Sequence, residues 1–114
     1  MDQTLWVFGL GTYNNSTAKN LLVWHYYLKE VSRERNYGSE AFHKLVTMCT
    51  MAHILYKRSL NQNPTIYSAV DSVCNILFNI NKYFPTSRLT YAISKKEEID
   101  NLLNSGYSLS LIHI

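Results

Sequence analysis

From Ala18 to Phe84 apolar side chains return every three or four residues with only two breaks. That spacing belongs to helices, each of which must bury one stripe against a neighbour. The breaks are Asn36-Tyr37-Gly38 and Asn61-Gln62-Asn63-Pro64, so three long helices are expected. The first runs from about Ala18 to Arg35, with Ser16 or Thr17 as cap and Ala18, Leu21, Leu22, His25, Leu28 and Val31 as its stripe. The second opens at Ser39 with Phe42, Leu45, Val46, Cys49, Ala52, His53, Tyr56 and Leu60 on one face. Met48, Met51 and Leu55 form a second face, which makes this helix central. The third is capped by Asn63, has Pro64 at its first position, buries Ile66, Ala69, Val70, Val73, Leu77, Ile80 and Phe84, and stops at Pro85.

Three segments read as strands. Thr4 to Phe8 is aromatic and β-branched, closed by Gly9-Leu10-Gly11, and reads as buried on both faces. Arg88 to Ile93 is a second short apolar run, and Tyr107 to Ile114 alternates apolar residues with Ser108 and Ser110. Between the last two, Ser94-Lys95-Lys96-Glu97 reads as a capping box opening a short helix that ends at Gly106. Two strands joined by one helix should lie parallel with a right-handed crossover. The expected class is therefore α/β (α+β), in the order β-α-α-α-β-α-β. A small sheet of about three strands is packed by three longer helices and one short helix, in one compact domain over residues 1–114.

The length of 114 residues gives room for one domain, and 46% hydrophobic residues exclude a disordered chain. Charged residues reach only 17%, against about 25% in an average domain. Eleven Asn, eleven Ser and nine Tyr supply the missing polarity. No stretch approaches the about 20 apolar residues of a membrane span, and Met1-Asp2 lacks the basic start of a signal peptide. A cytoplasmic address with no membrane partner is the expectation. Cys49 and Cys74 fall within apolar helical patterns and read as free, buried thiols. The abundance of Asn, Tyr, Ile, Lys, Phe and Ser, residues of AT-rich codons, suggests a phage or other mobile element as source.

Four constellations bear on function. The strand, G-x-G turn and helix start at Gly9, Gly11, Asn14, Asn15, Ser16 and Thr17 would present backbone N–H groups to a phosphate. It lacks the third glycine of a dinucleotide fingerprint and the lysine of a P-loop. Cys49 and His53, four apart, share a helix face as half a zinc site would, but His43 is rotated well away from both and Cys74, His25 or His113 would have to complete the set; a buried thiol and core or boundary histidines are the reading, and no metal and no cofactor are expected. Arg33, Arg35, Lys57, Arg58, Lys82 and Arg88 stand at or after helix ends and together could bind nucleic acid, although alternating helix direction puts Lys57 and Arg58 opposite the others. Glu97, Glu98 and Asp100 suit a helix start structurally, and no catalytic set emerges, so a non-enzymatic role is expected.

Tyrosine completes the reading. Tyr13, Tyr26, Tyr27, Tyr37, Tyr67 and Tyr83 fall on helix flanks or loops, and tyrosine is enriched where proteins meet because it offers much area for little rotamer entropy. The expectation is a small binding protein that occupies another protein or protein complex, such as a mobile-element inhibitor of a host defence complex. A phosphate binder and a nucleic-acid binder are the alternatives. A homodimer would close the two-sided second helix or an open sheet edge.

Overall fold

In the computed structural model, which describes residues 4–10, 17–104 and 107–113, every element between the two extended ends is a helix. The chain runs β1 (Thr4–Leu10), α1 (Thr17–Arg33), α2 (Glu40–Ser59) and α3 (Ile66–Ile80). A 3-10 turn (Thr86–Thr90), α4 (Tyr91–Ser94), α5 (Lys96–Asn104) and β2 (Tyr107–His113) follow.

Local chemistry sets the helix starts. Ser39 caps α2, its hydroxyl accepting from the Phe42 N–H at 3.1 Å, while Glu40 in the first turn and Lys57 and Arg58 in the last oppose the dipole. Thr65 caps α3 by accepting from the Ser68 N–H at 3.1 Å, which leaves Pro64 just before the cap rather than at the first helical position. α3 ends at Ile80, well ahead of Pro85, as Asn81 turns extended and donates its N–H back to Leu77. Past α2, Asn61 takes a φ of 60°, a left-handed conformation that asparagine tolerates better than most residues.

α2 is the axis of the molecule. From Cys49 to Leu55 seven consecutive residues are buried, which a helix achieves only when covered on all sides, and α1, α3, α4 and α5 all pack on it. α1 runs antiparallel to it: Thr17 donates its hydroxyl to the Ser59 carbonyl at 3.4 Å, and Asn20 Nδ2 reaches the Leu55 carbonyl at 3.5 Å. The buried face of α1 is Asn20, Val23, Trp24, Tyr27, Leu28 and Val31, rotated from the expected stripe, so Leu22 is 63% exposed. α3 buries Ile66, Ala69, Val70, Val73 and Leu77, with Phe84 folded in behind them.

The expected α/β sheet of about three strands does not form. Arg88 to Ile93 is helical, lying in the 3-10 turn and α4. The reason is spacing: Leu89 and Ala92, three apart, are both buried, and Ile99 and Leu103, four apart, continue the inward face through α5. A strand would have turned Leu89, Tyr91 and Ile93 to one side, whereas the core takes Leu89 and Ala92 fully and leaves Tyr91 and Ile93 half-buried. Ser94, inside the helix, donates its hydroxyl to the Tyr91 carbonyl at 2.6 Å, so no capping box forms.

The parallel crossover falls with that strand. β1 and β2 pair antiparallel as a two-stranded ribbon, from Thr4 opposite His113 to Leu10 opposite Tyr107. The expected burial of Thr4 to Phe8, the alternation of Tyr107, Leu109 and Leu111, and the caps at Ser16 and Gly106 concern side chains and residues outside the described set. No helix among the described residues is long and apolar enough to cross a membrane.

Candidate functional site

The helix ends gather the site. Tyr37, in the turn after α1, packs edge-on against Phe42 at the start of α2 (5.5 Å between ring centres) and against Phe84 beyond α3 (5.6 Å). This aromatic clasp brings the C-terminal ends of α1 and α3 to one corner, and packing on Tyr37 and Phe42 draws Phe84 inward to 4% exposure. Its neighbour Tyr83 is thereby turned out and stands 93% exposed. Phe78 (43% exposed) and Ile80 (62%) are exposed on the last turn of α3, one on either flank of the buried Leu77, with the Lys82 ammonium over the Phe78 ring at 4.8 Å. Ile80 belongs to the buried stripe by period, but α3 ends there and its side chain overhangs the core.

Charge collects at the same corner. Arg33 pairs with Glu30 at 3.8 Å, and the Glu34 carboxylate accepts the N–H groups of Arg35 and Asn36 at 2.9 Å, closing the end of α1. Arg35, Lys82 and Arg88 have no carboxylate within ion-pair distance among the described residues. Arg88 sits in the 3-10 turn, whose start is held to α3 by the Cys74 thiol 3.8 Å from the Thr86 carbonyl. The cations read from sequence thus divide. Arg33, Arg35, Lys82 and Arg88 belong to this corner, whereas Lys57 and Arg58 end α2 on the opposite side, where Arg58 faces Pro64, Ile66, Lys96 and Asp100.

The six tyrosines divide as well. Tyr67 and Tyr83 are exposed, the first at 59% near the start of α3. Tyr27 is buried between α1 and its neighbours, its hydroxyl pushed well above the usual phenol range by burial; Tyr26 and Tyr37 are half-buried against the core. Tyr13 lies outside the described residues. So do Gly11, Asn14, Asn15 and Ser16 of the glycine turn; Gly9 falls within β1, opposite Ser108, and Thr17 opens α1. Phe78 and Ile80 escaped the sequence reading, the first because it fits no core stripe and the second because it fits one.

A second feature is a cleft of about 550 Å³ between α2 and α4–α5. Met48, Ile99 and Leu102 line its apolar floor; Glu40, Lys44, Lys95 and Glu98 line its rims. The His43 ring stacks on Tyr91 at 4.2 Å and 8°, and Lys95 lies 5.6 Å over the same ring while reaching Glu98 at 4.0 Å. Thr47 spends its hydroxyl on the His43 carbonyl at 2.9 Å, so the polar groups here largely answer one another. Tyr91 could not be placed in this cleft from sequence, having been assigned to a strand.

Cys49 is buried with its thiol pushed well above the ordinary range, and Cys74 is half-buried; neither forms a disulfide. Among the described residues no group of three His, Cys, Asp or Glu is placed to hold a metal ion. Within the α1–α2 interface Trp24 meets His53 edge-on at 4.6 Å and stacks on Tyr56 at 5.5 Å. Trp24 Nε1 and His53 Nδ1 have no hydrogen-bond partner there. No protein-family model, no curated protein and no solved structure matches this chain, so its own surface carries the functional argument.

Proposed function

We propose that this chain is a small helical binding protein that holds a protein partner across the outer end of α3. What supports the reading is a concentration of apolar surface: of the six large hydrophobic side chains exposed among the described residues, Tyr67, Phe78, Ile80 and Tyr83 all belong to α3 and the turn after it. Scattered exposed apolar residues are ordinary, but two aromatics and an isoleucine exposed between Phe78 and Tyr83, around one helix end, fit a recognition anchor. Low overall charge, with Ser68, Asn75 and Asn79 on the exposed side of α3, suits a protein contact. The function read from sequence is thereby kept in its general form, with its anchor moved to α3. Neither the fold nor the comparisons lend support to an inhibitory role or a mobile-element origin.

The test compares wild type, a Phe78→Ala/Tyr83→Ala double variant and Leu22→Ala as an exposed control on α1 in quantitative affinity capture. The double variant should lose specific partners, equivalent to more than about 1 kcal/mol per aromatic, with an unchanged melting temperature. The control should keep them. Equal partner recovery by all three proteins would remove the reading.

A further inference from the structure

We infer that a second copy of this chain seats on the outer face of α3, the two helices antiparallel about a twofold axis. This rests on α3 being the binding surface, and names what occupies it. Asp71, Asn75 and Phe78 follow one another at steps of four and three, so they share one stripe of the helix, and all three are exposed. Lys82 extends that stripe past the end of α3, its ammonium lying over the Phe78 ring at 4.8 Å. The outer face therefore reads acid, amide, aromatic, base. The core takes the other side of the helix, through Ile66, Ala69, Val70, Val73 and Leu77, so the fold makes no use of this stripe.

Such a stripe is its own electrostatic complement when reversed. Neither Asp71 nor Lys82 forms an ion pair among the described residues, since about three helical turns separate them. Turning a second copy end over end sets Asp71 against the partner's Lys82 and Lys82 against the partner's Asp71, so one rotation answers both charges twice. In that register Phe78 stands opposite the partner's Asn75, and the two Phe78 rings flank the twofold about 4.5 Å apart along it, close enough to pack. The same rotation carries Tyr83, in the turn after α3, towards the start of the partner's α3, where Tyr67 is exposed. A parallel pair would set aspartate on aspartate and lysine on lysine. α3 has no acid in its first turn and no base in its last, which also favours a neighbour whose dipole runs the other way. Both copies use the same face, so assembly stops at two. α2 offers no such face because α1, α3, α4 and α5 cover it, and Ile80, on the other flank of Leu77, takes no part. One helix face is small for an interface, so the pair is a weak, reversible one.

The test is sedimentation equilibrium of the full chain, carried into the hundreds of micromolar, with Asp71→Lys, Lys82→Asp and the double variant Asp71→Lys/Lys82→Asp. All three changes are at exposed positions, and unchanged melting temperatures would show that the fold is kept. Wild type should dimerise, more weakly as salt is added. Each single variant sets like charges against each other and should dimerise roughly tenfold more weakly or not at all. The double variant, and an equimolar mixture of the two single variants, should recover pairing, because each again sets lysine against aspartate. Single variants that pair as tightly as wild type, or a mixture no tighter than its components, overturn the antiparallel dimer. A wild type that stays monomeric overturns it too. If that monomer still captures other proteins through Phe78 and Tyr83, this inference alone falls and the binding surface takes an unlike partner. If capture is also indifferent to Phe78 and Tyr83, the binding surface falls with it.

Discussion

His53 is the residue whose burial has the clearest consequence. It is 2% exposed, packed edge-on by Trp24, and burial followed by the Lys57 charge one turn on lowers its pKa from 6.5 to about 4. The folded state therefore holds it neutral, while the unfolded chain takes up a proton near 6.5. Its contribution to stability is whole above that value and is lost as pH falls from 6.5 towards 4, on the order of 2 kcal/mol across the window. Thermal unfolding followed from neutral pH to about 4 should show this decline, and His53→Phe, which keeps an aromatic ring against Trp24, should flatten it. An equally steep decline in the variant would assign the effect to other groups. Sequence placed His53 on the buried face of its helix; what it could not supply was the Trp24 contact, because Trp24 was left off the inward stripe of α1. The signal was present: Asn20, Val23, Trp24, Tyr27, Leu28 and Val31 recur at threes and fours, but two polar-tipped aromatics and an asparagine look less apolar than Leu21 and Leu22.

Among elements, the three long helices were legible because their starts and breaks are chemical: Ser39 caps, Asn36-Tyr37-Gly38 interrupts, and the Asn61 to Pro64 run interrupts again. The segment Arg88 to Ile93 was not, since a short apolar run carries no period long enough to separate strand from helix. Only Leu89, Ala92, Ile99 and Leu103 taken together, across the assumed boundary at Ser94, disclose the helical spacing. The same ambiguity hid the cleft, since His43 stacks on a tyrosine of that very segment. The interruption after α2 is itself testable. Asn61 sits at φ 60°, so Asn61→Gly should leave stability within a few tenths of a kcal/mol or raise it, whereas Asn61→Val should cost about 1 kcal/mol or more. Urea midpoints with a shared slope would show whether the left-handed turn carries that strain.

At the scale of the molecule, the hydrophobic budget foreseen for a sheet goes instead to one helix wrapped by four others. The expected layers were drawn because three short apolar runs invited strands; two of them do run extended, but with each other, and the third feeds the helical core. The α3 corner was only partly readable, since exposure at Phe78 and Ile80 depends on where α3 ends relative to its neighbours and not on composition. The enclosure of α2 also makes it a gauge. With α1, α3, α4 and α5 on every side, the amide hydrogens of Cys49 to Leu55 have no partial opening through which to meet water. In deuterated solvent they should be the last to exchange, all reporting one opening free energy equal to that of global unfolding, while amides in the outer turn of α3 trade far sooner. The protection of the amides in the middle of α2 is then the stability of the whole fold, read from inside it.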